Sequence, residues 1–267
     1  MADIVPGVPH ETQLSPNHGG TRPESRLVIL HATRGPTKPQ AGEALVATLE
    51  REYHNSIAYM CKTLAQGNTS QVSPHFVVGP YMVCRLVHDD AESWATGNRA
   101  VAAYDLNQES LSIEVAQPAY LPPFVDFQYE ACADLTVQWC MKYGIPLEHI
   151  APFTDATAHG ITEHEETRDG RYDGKSDLGD KWDWARFMTA CQRRWAELHP
   201  PNDWEGISAD LRAYMEANAL VPRPEHVLRF RDGINNEYVW FKPRAGAPTG
   251  GIAMWRKSLD KCYHWGF

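Results

Sequence analysis

Short apolar runs alternate with amphipathic helical segments between residues 26 and 198. Residues 26–30 (RLVIL) predict a buried strand that ends at His31, and residues 110–115 (SLSIEV) predict another strand. Apolar residues at helical spacing predict helices over 43–53, 127–143 and 183–198. Strands that alternate with helices are typical of an α/β domain, so we predict a central mixed β-sheet flanked by helices.

Three other segments of the chain have a distinct character. Residues 75–78 and 82–87 flank a Gly-Pro pair and predict a β-hairpin. Residues 1–25 are polar and rich in Pro and Gly, and we expect them to run along the surface. Residues 54–71 have the character of an insertion.

The chain is predicted to have two parts, joined at Pro200 and Pro201. The main domain covers residues 1–198, with its core at 24–198, and a small C-terminal module covers 199–267. This module is predicted to contain a helix over 205–218 and a hairpin formed by 227–230 and 238–241. Its many aromatic residues and its excess of Lys and Arg after residue 222 suit stacking on sugars and contact with anionic wall polymers. The alternative is that a small module needs large side chains for its core.

Charge and composition exclude several classes of protein. The formal net charge of −9 argues against broad nucleic-acid binding. No run approaches 18 apolar residues, so membrane insertion is not expected. The first residues lack a basic and then apolar segment, so no secretory signal peptide is expected. The six cysteines form no CxxC pair and are expected to be reduced and buried.

Three residues at the ends of predicted strands and in a loop could bind a metal ion. His31 ends the first predicted strand, His164 follows a short apolar segment, and Asp177 lies thirteen residues further on. Two imidazoles and one carboxylate suit a catalytic zinc ion and leave the fourth tetrahedral position for water. The spacing leaves alternatives open, because His159 could replace His164 and Asp177 could be a turn residue.

Seven motifs, in order, resemble the type 2 N-acetylmuramoyl-L-alanine amidases over residues 24–198. This family includes amidase-type phage lysozymes, bacterial muropeptide-recycling amidases and animal peptidoglycan recognition proteins. The motifs are VILHAT (28–33), VSPHFVV (72–78), SWATG (93–97), SLSIE (110–114), YGIP (143–146), GITEH (160–164) and GKSDLG (174–179), the last followed by Asp-Trp at 183–184.

The resemblance implies a role for each of seven residues. His31, His164 and Asp177 would bind one zinc ion per chain. Glu114 would activate the attacking water, and Lys175 would stabilise the developing oxyanion. His75 and Trp94 are candidate substrate contacts. Four of these residues also have an alternative interpretation. Glu114 could lie on the surface of its strand, and Lys175 could be a solvated loop residue. His75 could be a structural histidine, and Trp94 could be a buried tryptophan.

The implied reaction is hydrolysis of the amide bond between N-acetylmuramic acid and L-alanine, with peptidoglycan or a muropeptide as the substrate. We expect a monomeric bacteriophage endolysin that is cytoplasmic before its release and then acts on the cell wall. The alternatives are a cytoplasmic muropeptide-recycling amidase and a binding protein without catalysis.

The chain departs from the family pattern at four positions that bear on the site. Ala95 replaces a histidine that contacts substrate, and Pro74 replaces a tyrosine that other members use in catalysis. Glu163 stands where the family has glycine before its second ligand, and Leu178 where it has proline after its third. These departures concern substrate preference more than metal binding.

Overall fold

The computed structural model describes residues 9–22, 25–97, 105–119, 124–151, 158–172 and 174–198, and, further on, 213–214, 217–218, 220–222, 230–231, 237–243, 251–256 and 261–266. The chain divides into two units, residues 1–195 and 196–267. The strands of the first unit are β1 (His10–Thr12), β2 (His18–Thr21), β3 (Leu27–Ala32), β4 (Phe76–Val78), β5 (Val83–Arg85), β6 (Ala91–Ser93), β7 (Ser110–Val115) and β8 (Gly160–Glu163). Its helices are α1 (Leu45–Met60), α2 (Leu106–Glu109), α3 (Asp126–Tyr143), α4 (Arg168–Tyr172) and α5 (Trp184–Leu198).

Six strands form the central sheet in the order β1-β5-β4-β7-β3-β8. Strands β4, β7, β3 and β8 are parallel, and β5 runs antiparallel to β4. The predicted mixed sheet and the predicted hairpin of β4 and β5 are therefore confirmed. All residues of β3 and β7 are buried, as expected for parallel strands with both faces covered.

Side chains alternate between the two faces of the sheet and separate its core from its site. Val28 and Leu30 of β3 and Leu111 and Ile113 of β7 pack against helices α3 and α5. The alternate residues of the strands point to the opposite face of the sheet. On that face, helix α1 packs against Val77 of β4 and Cys84 of β5. His31 and Glu114 thus leave the apolar core and lie on the face that α1 covers.

Helix α3 follows its predicted bounds because its end is determined locally. Gly144 adopts φ = +68°, a left-handed conformation that favours glycine, and the Gly144 N–H bonds the Cys140 carbonyl. The predicted helix over 183–198 is likewise present as α5. These two helices supply Trp139, Cys140 and Phe187 to the core.

The structure adds detail to two predictions about irregular segments. Residues 9–22 do not merely follow the surface, because β1 pairs with the sheet edge at β5 and β2 pairs with β6. Ser15 and Asn17 are buried and bond the Met60 carbonyl. Residues 54–60, the first part of the segment with the character of an insertion, continue helix α1 without interruption.

The described strands of the second unit form a separate antiparallel sheet. They are β9 (Leu220–Pro222), β10 (Phe230–Arg231), β11 (Glu237–Pro243), β12 (Gly251–Arg256) and β13 (Lys261–Gly266). β9 and β10 both pair with β11, which is followed across the sheet by β12 and β13. The predicted pairing of β10 with β11 is confirmed. The predicted helix over 205–218 lies largely outside the described residues.

Candidate metal centre and cleft

The three predicted ligand residues lie together at the carboxyl ends of neighbouring parallel strands. His31 is in β3, His164 follows β8 directly, and Asp177 lies in the loop between α4 and α5. One ligand atom from each residue lies within 4.8 Å of the others, and all three side chains are buried. Oδ1 of Asp177 is 3.3 Å from His31 Nδ1, and its Oδ2 is 3.6 Å from His164 Nδ1.

The two distances between Asp177 and the histidines are close to those of a tetrahedral zinc site. Two ligand atoms at about 2.0–2.1 Å from zinc, at the tetrahedral angle, are about 3.3–3.4 Å apart. Oδ2 of Asp177 is buried and has no hydrogen-bond partner among the described residues. A buried carboxylate oxygen without a partner is costly, and a cation would satisfy it. The donor set therefore suits a zinc ion.

The electrostatics of the cluster are asymmetric. Burial opposes protonation of His31, but its hydrogen bond to Asp177 and the charge of that carboxylate raise the pKa of His31 above its ordinary value. Burial and the neighbouring charge of His31 lower the pKa of His164 to about 3. Burial alone would raise the pKa of Asp177, but His31, His164 and Lys175 together bring it below its ordinary value. A neutral His164 and an ionised Asp177 are the forms that bind a metal ion.

Glu114 lies directly beside this cluster. It is the register partner of His31 in the parallel pair of β3 and β7. Its side chain is buried, and Oε2 has no hydrogen-bond partner among the described residues. Burial raises the pKa of Glu114 to about 7, with the charge of His31 opposing the rise and that of Asp177 adding to it. A carboxylate with this pKa can accept and return a proton near neutral pH.

Lys175 lies at the mouth of the same site. Its side chain is exposed, and its backbone N–H bonds the Gly170 carbonyl at 2.9 Å. Its positive charge opposes the rise in the pKa of Glu114 and contributes to the lowered pKa of Asp177. The structure thus brings five predicted residues together: the three ligands, Glu114 and Lys175.

The two predicted substrate contacts lie elsewhere. His75 is completely buried, where its Nδ1 accepts the Ser112 N–H at 3.0 Å and its Nε2 contacts the Ala91 carbonyl at 3.2 Å. Burial and the charge of Arg22 lower the pKa of His75 to about 3. This environment is that of a neutral structural histidine. Trp94 is half-buried, and its backbone forms an isolated bridge with Ser73.

A cleft of about 710 Å³ opens over the candidate ligands. The residue after Trp94, Ala95, is part of its wall, as is one face of helix α1. This face consists of Glu52, Asn55, Ser56, Tyr59 and Met60. Sequence reasoning missed these residues. Their spacing at i, i+3, i+4, i+7 and i+8 defines one helical face and could have revealed it.

Glu52 is the most buried polar residue of that wall. It is 1% exposed, and its Oε1 accepts hydrogen bonds from the Thr33 hydroxyl at 2.7 Å, the Ser56 hydroxyl at 3.1 Å and the Gly35 N–H at 3.1 Å. A side chain at Gly35 would overlap the Glu52 carboxylate. Glu52 therefore fixes the loop that follows β3, the strand that contains the candidate ligand His31.

The fold and the cluster define a mixed α/β protein with a candidate metal centre at the carboxyl edge of its parallel strands. The family profile of N-acetylmuramoyl-L-alanine amidase (Amidase_2) matches residues 20–183, which is more than half of the chain. The chain belongs to this family, as its motifs predicted, and its activity class is that of a peptidoglycan amidase. No curated protein matches the chain by sequence.

Several solved structures are similar to the chain. The selenomethionine derivative of AmpD has 20% sequence identity and a TM-score of 0.46, and the match covers 71% of this chain and 98% of that one. PlyL has 16% identity and a TM-score of 0.45, with 70% and 97% covered. Hydrolase AmiA from Staphylococcus aureus, in complex with its ligand, has 14% identity and a TM-score of 0.44, with 73% and 86% covered.

None of the helices in the described part of the chain is long and apolar enough to cross a membrane.

Proposed function

We propose that this protein is a zinc-dependent N-acetylmuramoyl-L-alanine amidase that acts on the cell wall as a bacteriophage endolysin. The observation that carries the proposal is the buried cluster of His31, His164 and Asp177 with Glu114 beside it. A binding protein that had lost catalysis would not need a buried carboxylate with a raised pKa next to the ligands.

Each residue of the site has a distinct part in the proposed reaction. When bound, zinc supplies the Lewis acidity that makes water a competent nucleophile near neutral pH and polarises the scissile carbonyl. Glu114 accepts a proton from the attacking water and returns it to the nitrogen of L-alanine as the carbon–nitrogen bond breaks. Lys175 faces the negative charge that develops on the carbonyl oxygen, and this charge is largest in the transition state.

The second unit supports the endolysin role. The amidase match ends at residue 183, and a separate antiparallel sheet follows after residue 195. An additional module suits an enzyme that must hold a polymeric wall, because a second binding site raises the effective concentration of the first. We propose that the module over residues 199–267 binds the wall.

The test combines metal content with product release. Purified protein is assayed for bound zinc and for release of L-alanine amino groups from purified sacculi, with and without a chelator. One zinc ion per chain with chelator-sensitive release supports the amidase. Release from soluble muropeptides but not from sacculi would replace the endolysin role with recycling. Bound zinc without release from either substrate would contradict the amidase.

A further inference from the structure

Two ligand-bearing segments are tied together by residues adjacent to the ligands. Glu163 immediately precedes the ligand His164, and its side chain turns away from the cleft towards Trp184. Oε2 of Glu163 accepts the backbone N–H groups of Leu178 at 3.1 Å and Gly179 at 3.2 Å. These are the two residues that follow the ligand Asp177. One carboxylate oxygen therefore connects the end of β8 to the loop that carries the third ligand.

The other oxygen of this carboxylate is also held. Oε1 of Glu163 accepts the indole N–H of Trp184 at 3.3 Å, and Glu163 is only 6% exposed. With three donors on two oxygens and little access to solvent, the side chain has a single well-defined position. Gly179 has φ = +58°, which a side chain would strain. Gly179 has this backbone conformation where its own N–H and that of Leu178 both donate to Oε2 of Glu163.

The segment that follows the ligand His31 holds the loop at residues 176–179 from its other side. Arg34, three residues after the ligand His31, donates from Nε to the Asp177 carbonyl at 2.7 Å and from Nη2 to the Ser176 carbonyl. Arg34 has φ = +47°, a left-handed conformation that side chains other than glycine rarely adopt. The loop at 176–179 is thus held through its carbonyls by Arg34 and through its N–H groups by Glu163.

We infer that Glu163 is a positioning residue that fixes Asp177 for metal binding, with Arg34 acting from the opposite side. The inference rests on the proposed function, since it concerns the same metal site. Both ends of this contact differ from the pattern that the resemblance to the family implies, since glycine at 163 would provide no carboxylate and proline at 178 would provide no N–H to donate.

The first test measures zinc affinity by competition with a chelator of known affinity. Glu163→Gln keeps the size of the side chain but weakens its ability to accept both N–H groups, and we expect a loss of about tenfold to a hundredfold in zinc affinity. The matched control is Glu166→Gln. Glu166 lies on the same segment, and the hydrogen bonds it accepts come from the Thr162 hydroxyl, the Glu163 N–H and His149, which all lie outside the 176–179 loop. Equal losses in both variants, or no loss in Glu163→Gln, would overturn the inference.

A second pair of variants removes the donor instead of the acceptor. Leu178 has φ = −72°, which proline also adopts, so Leu178→Pro deletes the N–H without forcing φ. Leu178→Ala loses apolar packing but keeps the N–H. We expect weaker zinc binding in the proline variant than in the alanine variant. Because Glu163 and Leu178 share one contact, the losses in Glu163→Gln and Leu178→Pro should combine to less than their product. Fully multiplicative losses would contradict a shared contact.

A readout without metal separates this inference from the proposed function. In metal-free protein, amide hydrogen exchange at Leu178 and Gly179 should be faster in Glu163→Gln than in wild type, and unchanged in Glu166→Gln. If wild type bound no zinc, the proposed function would fail, and this comparison would still decide whether Glu163 holds the loop. Wild-type exchange rates in Glu163→Gln would refute the positioning role. In cobalt-loaded protein, the variant should also show an altered visible absorption spectrum, which a general loss of stability would not produce.

Discussion

His31 and Glu114 are register partners in adjacent parallel strands, and both side chains lie on the face of the sheet that helix α1 covers. This relationship places the proposed proton acceptor next to a proposed metal ligand with no loop between them. Sites built on strands are held more precisely than sites on loops. The position of Glu114 relative to the metal centre is therefore set by the hydrogen-bonded register of β3 and β7.

Replacing Glu114 with Gln should preserve the metal and remove most of the rate. The amide has nearly the same shape but cannot accept a proton from water, so kcat should fall by about two to four orders of magnitude. Zinc content, measured on the same preparation, should stay at the wild-type level. Glu50→Gln, an exposed position on helix α1, is the control for loss of one negative charge. A fully active Glu114→Gln would remove Glu114 from the mechanism.

Replacing His164 with Ala should abolish zinc binding and activity together. Among the described residues, three side chains form the candidate metal site, and the loss of His164 leaves a histidine and a carboxylate. His159→Ala is the matched control, because His159 is an exposed histidine five residues away. Metal analysis and amino-group release give the two readouts. Retention of both in His164→Ala, with loss in His159→Ala, would transfer the ligand role to His159.

Much of this site could be predicted because the ligands follow the parts of the sequence that encode the sheet. Strands β3 and β7 are uninterrupted buried runs, so their bounds and the position of His31 at a strand end were predictable. The end of α3 at Gly144 was equally local. The motifs then identified Asp177 and Glu114, which spacing alone would not have selected.

The parts that the sequence did not reveal depend on distant partners. Strand β1 has the sequence His-Glu-Thr and no apolar pattern that would predict a strand. It forms because it pairs with β5, about seventy residues later in the chain. The second half of α1 has polar residues where it lines the cleft, so its apolar period is interrupted and it resembled an insertion. A structural role for His75 was among the interpretations of the sequence, but the hydrogen bond that it accepts from the Ser112 N–H joins residues far apart in the chain and has no local signal.

Replacing Lys175 with Met should slow the reaction and leave the metal in place. Methionine preserves most of the aliphatic length and removes the charge that faces the developing oxyanion. Loss of such a group typically costs about two to three orders of magnitude in kcat. The effect should fall on kcat more than on KM, since the charge it opposes is largest in the transition state. Lys181→Met, at another exposed lysine of the same loop region, is the control. If both variants had the same kcat and KM, Lys175 would be a solvated loop residue with no part in the reaction.

His75 should make the protein sensitive to acid, and Gln in its place should reduce that sensitivity. The pKa of His75 is lowered to about 3 in the folded state by burial and by Arg22, against about 6.5 in an unfolded chain. Between these values the unfolded state binds more protons, so the stability conferred by neutral His75 is complete above pH 6.5 and is lost as the pH falls towards 3. The slope for one such group is about 1.4 kcal/mol per pH unit.

The measurement is urea unfolding of metal-free wild type and His75→Gln at pH 7.5, 5.5 and 4.5, with chelator present throughout. The variant should be less stable at pH 7.5, because it loses the bonds to Ser112 and Ala91. Its free energy of unfolding should then fall less steeply with acid, so the two curves converge. His54→Gln, at an exposed histidine, should run parallel to wild type. If the curve of His75→Gln also ran parallel to that of wild type, His75 would not be a buried neutral group in the folded state.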